Sequence, residues 1–294
     1  MNQNKKLLVI DGTYLAYRSF YATTYGNPVG LENSNGVSTS AIVAFFNTMF
    51  SLIKLCGPDS IYIAFDSRIK TFRHETFTDY KAGRQKAPSE FYTQLNYIQE
   101  LLSAINIKNQ YYNGYEADDI IAKATKTYDG SILIYSADQD LNQLIKPGVG
   151  IIKKIKSDYV VINDQNFTEF YDFEPYQVID YKAMVGDSSD NFKGIAGIGP
   201  KSASAMLAEY KTLENIYNNI DKIKPSWAKK LIEHKQDAMR DKYIATLQTE
   251  FGLEMPKQDE LSLSNIGLSK EAENIINNLE LFEIKRKIAK IIEN

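Results

Sequence analysis

Cysteine and histidine are nearly absent: the 294-residue chain has one Cys and two His. Cys56 alone closes no intramolecular disulfide and two imidazoles make a poor zinc set, which excludes secreted disulfide scaffolds and Cys/His zinc modules. A reducing, cytoplasmic setting is expected. Long apolar runs are also missing. The run from Leu7 to Ile10 is cut by Asp11, and no later stretch reaches the length of a membrane span, so no membrane partner is expected. Nor is there a surplus of positive charge: 34 Lys and Arg face 37 Asp and Glu, a net charge of −3. Nucleic-acid binders usually carry a basic excess, so the bare total speaks against one. That inference depends on where the acids sit.

What the chain does have is alternation. LLVIDG (Leu7 to Gly12), IYIAFD (Ile61 to Asp66) and SILIYSAD (Ser131 to Asp138) are short apolar runs ending in a polar residue, as doubly buried parallel strands do. Ser38 to Leu55 and Glu90 to Ile105 show apolar residues at helical spacing, the second behind a Pro88-Ser89 start signal. The expected fold is therefore α/β, a largely parallel central sheet with helices on both faces. IIKKIKSDYVVIND (Ile151 to Asp164) predicts a hairpin at a sheet edge, turning around Lys156-Ser157-Asp158. From about Glu174 the texture becomes helical around a Gly-rich turn, GIAGIGPKSA (Gly194 to Ala203), and the length suits one large or two small domains. A soft boundary divides 1–173 from 174–294.

Asp11 and Asp66 each close a strand run, and Asp138 and Asp140 follow another within a few residues. Ligands of open parallel sheets gather beyond the carboxyl ends of the strands, so these acids should converge. Glu116, Asp118 and Asp119, in YEADDIIAKA, open an amphipathic helix, where the dipole favours carboxylates that point back to the crevice. Asp187 and Asp190, in VGDSSDN, mark the next transition. One such Asp is an ordinary turn or cap residue. Nine in one cleft would repel prohibitively unless cations neutralise them. Oxygen donors without His or Cys select Mg²⁺ or Mn²⁺ over zinc, and two such ions roughly 3.5–4 Å apart serve in-line phosphodiester hydrolysis. With these nine set aside, bases outnumber acids, and a phosphate-binding body with an acidic pit becomes consistent with the negative total. Competing motifs fail: the EF-hand opening at Asp138 lacks its Gly and Glu, and no P-loop, dinucleotide fingerprint or nucleophile elbow occurs.

VIDGTYLAYRSFYA, FDSRIKTFRHETFTDYKAGR, YEADDIIA, YSADQDLNQLI and VGDSSDNFKGIAGIGPKSA, in this order and spacing, resemble the motif series of the bacterial 5′-3′ exonuclease family. That family includes the N-terminal nuclease domain of DNA polymerase I, phage 5′ nucleases and, more distantly, flap endonucleases. The resemblance implies a PIN-like nuclease core over 1–173, with a helical arch or clamp at about 70–100, and a helical DNA-binding region over 174–294 with a helix-hairpin-helix element at about 184–210. The implied reaction is two-Mg²⁺ hydrolysis of DNA near 5′ ends at flaps, nicks and branches, in replication and repair. Asp11, Asp66, Glu116 and Asp118, with Asp119 nearby, would serve the first metal; Asp138, Asp140, Asp187 and Asp190 would serve the second. Because the chain ends at Asn294, it resembles the free-standing members, a monomer with a functional link to a polymerase being expected.

The same resemblance implies that Lys81 and Arg84 hold the scissile phosphate, that Arg18 lies near it, and that Arg73 and Tyr17 contact DNA, Tyr17 by stacking on an unpaired base. Gly197 and Gly199 would permit a tight turn and a close backbone approach to duplex phosphate, Lys201 would add charge there, and the turn's carbonyls would be able to bind K⁺. Gln139 stands where the family usually has Lys, and Phe192-Lys193 where it has Ile-Pro. Two alternatives remain open here: a DNA-structure-binding protein without hydrolysis, which so many clustered acids disfavour, and a PIN-type RNA-processing nuclease, which the hairpin and the basic segment disfavour.

Overall fold

The structure, a computed structural model, describes residues 5–24, 30–156 and 158–293. β1 (Lys6–Asp11) runs straight into α1 (Gly12–Thr24), a helix whose buried Leu15, Ala16, Ser19 and Phe20 already show helical spacing but precede the first helix expected from the sequence. Gly12 makes this junction possible, since a Cβ there would lie 2.5 Å from the Phe65 ring. α2 (Ser40–Cys56), β2 (Ser60–Ala64), α3 (Phe72–Thr76), α4 (Ser89–Ala104), β3 (Asn109–Gln110), α5 (Ala117–Thr127), β4 (Ser131–Tyr135), β5 (Val149–Ile155) and β6 (Asp158–Ile162) complete the first part.

The sheet has the order β3-β2-β1-β4-β5-β6, parallel except for β6, which pairs antiparallel with β5 at the edge. The expected hairpin is therefore present, its Ser157 lying outside the described residues. Alternate residues of β1 face opposite cores: Leu8 and Ile10 pack with α1, α2 and α4, while Leu7 and Val9 pack with α5. Both faces are thus covered, as a parallel sheet requires. Register aligns Asp11 with Ala64 on one side and Ile10 with Tyr135 on the other. Three strand ends, leading to Asp11, Asp66 and Ser136, consequently open at one level.

Beyond Phe173, α6 (Val178–Val185), α7 (Pro200–Tyr210), α8 (Leu213–Asn218) and α9 (Pro225–Glu233) enclose a separate core around Met184, Ile195, Ile198 and Leu207. α10 (Lys235–Ala245) packs beside α6. The chain then returns to the sheet: Phe251, Leu253 and Met255 join the α5 side, and α11 (Lys270–Asn278) and α12 (Phe282–Ile292) place Ile276, Ile284 and Ile288 in the α2–α4 core. The segment at about 70–100 lies against the body, with Tyr80 and Phe91 both buried. Among the described residues no helix is long and apolar enough to cross a membrane.

Candidate active site

A cavity of about 620 Å³ opens at the carboxyl ends of β1 and β4. The helices that follow β1 cover one face, and the turn that follows β4 packs with α5 on the other; the chain leaves these two paired strands in opposite directions, which opens a crevice between their loops. Six of the nine acids line it: Asp11, Asp66, Glu116, Asp118, Asp138 and Asp187. Asp119, Asp140 and Asp190 do not.

Asp11 sits at the strand-helix junction, where Oδ1 accepts from the Tyr14 amide at 2.9 Å and Oδ2 from the Ser136 hydroxyl at 2.9 Å. Burial and the charge of Asp66 push its carboxyl up to about 7. Asp66 accepts from the Ala117 amide at 2.9 Å, and its own amide donates to Thr13 Oγ1 at 2.8 Å. Asp118, in the first turn of α5, is raised well above the usual range by burial and then by Asp138, Asp11 and Asp66. No ammonium or guanidinium lies within ion-pair distance of Asp11, Asp118 or Asp138 among the described residues. Hydrogen bonds from Tyr14 and Ser136 to Asp11 and the more distant charge of Lys81 on Asp118 offset only part of the repulsion among these oxygen donors, and both carboxyls stay raised.

The other acids are matched to cations. Glu116, the N-cap of α5, accepts from Lys81 Nζ at 2.8 Å and from the Tyr80 hydroxyl at 3.1 Å. Against the upward push of burial, Lys81 and then Arg73 hold it at about 2. Lys182 of α6, almost fully buried, places Nζ 2.6 and 2.7 Å from the oxygens of Asp140, 2.6 Å from Asp190 and 3.0 Å from Asp187. Burial raises Asp187, and Lys182 together with the hydroxyl and amide of Ser189 more than reverses this. Among the described residues no three acids, histidines or cysteines already stand as one ligand shell. The acids expected to serve two metals stand as an open set of carboxylates beside two lysine-bridged ones.

Asp119 and Arg73 require a further correction. Their side chains form a two-pronged pair at 2.6 and 2.8 Å, 0% and 2% exposed, with Arg73 also donating to the Ile244 carbonyl and Asp119 capping the Glu116 amide. A helix turns about 100° per residue, so Asp118 facing the crevice sends Asp119 inward. Arg73 therefore holds α3, α5 and the end of α10 together and has no donor face toward a ligand. Arg18 likewise does not line the crevice; its guanidinium donates to the phenols of Tyr135 at 2.6 Å and Tyr14 at 3.2 Å, and Tyr14 forms the wall.

Lys81 and Arg84 do line it. Lys81 adopts φ 55° on a tight turn, while half-exposed Arg84 reaches Asp190 at 3.3 Å and the Ser189 carbonyl. Tyr17 lines the crevice too, its ring stacked on Phe91 with centroids 4.2 Å apart. In the hairpin, Gly197 has φ 79° and its carbonyl accepts from Lys230 Nζ at 3.2 Å. Gly199, with φ −95° and open space where a Cβ would go, is not needed for the turn. The backbone-contact glycines are Gly186 and Gly194: a Cβ on Gly194 would lie 2.4 Å from the Val185 carbonyl carbon. Lys201 is exposed in the first turn of α7.

Sequence reasoning missed Lys182, Tyr80 and Ser136. A lysine inside the apolar helix VIDYKAMV was the available signal for the first; nothing local marked the other two. The Phe192 departure also finds its place: Phe192 exchanges backbone bonds with Asp187 at 2.8 and 2.9 Å, and its ring lies beside Tyr80 and under Lys182. Gln139 is exposed at the edge of the crevice.

The family described as 5′-3′ exonuclease, N-terminal resolvase-like domain, matches residues 6–172, and the 5′-3′ exonuclease C-terminal SAM fold matches residues 173–267. The chain is 35% identical over 300 residues to a 5′-3′ exonuclease of Mycoplasmopsis pulmonis, covering 100% of this chain and 97% of that protein. It is 38% identical over 261 residues to DNA polymerase I of Bacillus subtilis, covering 87% of this chain and 29% of that much longer protein. The fold is shared with the T5 D15 flap endonuclease solved as a pseudo-enzyme-product complex with DNA and metal ions, at TM-score 0.68 and 20% identity over 99% of this chain and 100% of that one.

Proposed function

The chain belongs to the 5′-3′ exonuclease family and is a hydrolase of phosphodiester bonds; we propose that its substrate is DNA carrying a 5′ flap, nick or branch, cut at the crevice between β1 and β4 with divalent cations. One observation carries this reading: buried Asp11 and half-buried Asp118 and Asp138 line one cavity with Lys81 and Arg84, and none of the three acids has a cation at ion-pair distance among the described residues. Hard oxygen donors short of positive charge fit Mg²⁺, with Mn²⁺ as a substitute. Asp11, Asp66, Asp118, Asp138 and Glu116 would hold such ions, with Asp187 at the far wall, and the bound ions would supply the charge that activates water and shields the phosphate.

The chain's own groups do the rest. Arg84 offers a planar fork to a phosphate, and Lys81 exchanges Glu116 for a phosphate oxygen when the anion arrives. Tyr17 presents a ring edge to the crevice from a position fixed by Phe91. Tyr14, held by Arg18, sets the adjoining wall. Asp140 and Asp190 act from behind, by holding Lys182 and through it Asp187. Lys201, at the start of α7, meets the duplex away from the scissile bond. A K⁺ ion at the hairpin would compete with Lys230 for the Gly197 carbonyl. We assign nuclease chemistry to 1–173 and duplex binding to the hairpin helices of 174–294. A functional link to a polymerase is supported by the polymerase I relatives.

A 5′-labelled flap, a nicked duplex and a single strand, each incubated with Mg²⁺, Mn²⁺ or EDTA, test the proposal. Cleavage of the flap and nick with either ion and none in EDTA is expected. Cleavage in EDTA, or of the single strand in preference to the flap and nick, overturns it.

A further inference from the structure

We propose that Phe192 is a positioning residue of the crevice: it ties the loop between α6 and α7 to the turn that carries Lys81, and so fixes Glu116 and Asp187 relative to each other. Of the three residues that depart from the family's motifs, Gln139 and Lys193 are exposed and Phe192 is buried, at 4%. Its main chain serves one wall of the crevice. The Phe192 carbonyl accepts from the Asp187 amide at 2.9 Å and the Phe192 amide donates to the Asp187 carbonyl at 2.8 Å, which closes residues 187–192 into a loop. Gly186 and Gly194, at φ 90° and 65°, form its neck, and a Cβ on Gly186 would lie 2.8 Å from the Phe192 carbonyl oxygen. Asp187 and Phe192 are therefore held as one unit.

The Phe192 ring serves the other wall. It packs beside Tyr80, with centroids 6.0 Å apart, and with Ile244 and Ala245 at the end of α10. Tyr80 in turn donates its hydroxyl to Glu116, beside the ammonium of Lys81. The neighbouring backbone adds two ties: Asn191 donates to the Asp79 carbonyl at 2.9 Å, and the Lys81 amide donates to the Asp190 carbonyl at 3.4 Å. Lys182 Nζ stands over the same ring, 5.5 Å from its centroid. One ring thus meets both lysine-bridged groups of carboxylates. A smaller side chain at 192 would leave Tyr80 without its neighbour there, and Glu116 would lose its fixed donor. A displacement of about 1 Å in an active site can cost about 10²-fold in rate, so a ring that touches neither metal nor DNA still sets the chemistry.

This role presupposes metal-dependent cleavage at the crevice, and direct Mn²⁺ binding separates a failure of either. The whole chain is compared with Phe192→Leu, which keeps an apolar side chain in place, and with Asn191→Gly, which keeps the left-handed backbone and removes the bond to Asp79. Free Mn²⁺ is read by electron paramagnetic resonance without DNA, and flap cleavage in single turnovers at saturating Mg²⁺. In Phe192→Leu, Mn²⁺ affinity should weaken about threefold and the single-turnover rate fall about tenfold, with flap affinity in EDTA within about twofold. Asn191→Gly should lower the rate about threefold. Tyr80→Phe, which cuts the bond to Glu116, should match Phe192→Leu, and combining the two should cost less than about twofold more. Wild-type Mn²⁺ affinity and rate in Phe192→Leu, whatever its melting temperature, overturn the proposal, as do losses that multiply in the double variant. Should Phe192→Leu not fold, wild-type values in both Asn191→Gly and Tyr80→Phe overturn it. If the wild type binds Mn²⁺ and cleaves no flap, the cleavage reading fails, and the Mn²⁺ affinities still decide the role of Phe192.

Discussion

The two halves of the acid ring solve one electrostatic problem in opposite ways. Asp140, Asp187 and Asp190 share one lysine of the chain itself, which meets part of their charge before any ligand arrives; burial and the charge of Asp138 still push Asp140 up to about 7. Asp11 and Asp138 accept hydrogen bonds, none of Asp11, Asp118 and Asp138 has a cation at ion-pair distance among the described residues, and burial holds the carboxyls of Asp11 and Asp118 above their usual range. The difference teaches that acids of equal appearance in a sequence are not equal ligands. A lysine-bridged cluster carries part of its own countercharge, whereas one without a paired cation stores more of the repulsion that an incoming dication relieves.

The largest effect should come from the unfilled half. Asp118→Ala is expected to slow single-turnover flap cleavage at saturating Mg²⁺ by about 10³-fold or more, while duplex affinity stays within about twofold, because the substitution removes a charge needed in the reaction and no basic contact. Wild-type turnover in this variant would erase the distinction between the halves. Next, Lys182→Ala leaves two nearly buried carboxylates, Asp140 and Asp190, without their shared ammonium, which costs about 3 kcal/mol of stability in EDTA. Added Mg²⁺ should recover more of the melting temperature in this variant than it adds to wild type; equal gains in both would show that the lysine does not stand in for a cation.

Arg84→Ala sharpens the comparison from the substrate side. Its guanidinium is half-exposed and only loosely paired with Asp190, so the fold should survive, and the single-turnover rate on bound flap should fall by about 10²-fold, about 2.7 kcal/mol. A loss confined to affinity would assign Arg84 to the general basic surface. The smallest effect belongs to Lys201→Ala, remote from both halves: duplex affinity weakens alike for all substrates and the slope of log affinity against log salt decreases by about one unit, with chemistry on bound DNA unchanged. An unaltered slope would leave the α7 turn with a structural role alone.

The strands, the edge hairpin and the acids at the strand ends were legible because burial on both faces and turns at strand ends leave local patterns. The pairing of charges left none. Arg73 and Asp119 read as a ligand contact and a metal ligand, yet they meet across 46 residues in a dry pair, and Lys182 finds Asp140 across 42. Arg18 sits the expected turns beyond Asp11 and still turns away, because the phenol oxygen of Tyr135, on the neighbouring strand, accepts its hydrogen bond.

The sequence by itself therefore determined an α/β sheet with carboxylates at one edge and a Gly-rich hairpin behind it, since periodicity and turn chemistry act between near neighbours. Tertiary structure alone decided which carboxylates keep a cation of the chain and which await one. It also decided that α11 and α12 return to the sheet. Both outcomes rest on which distant side chains share a low-dielectric volume, and that is set only when the helices close on the sheet.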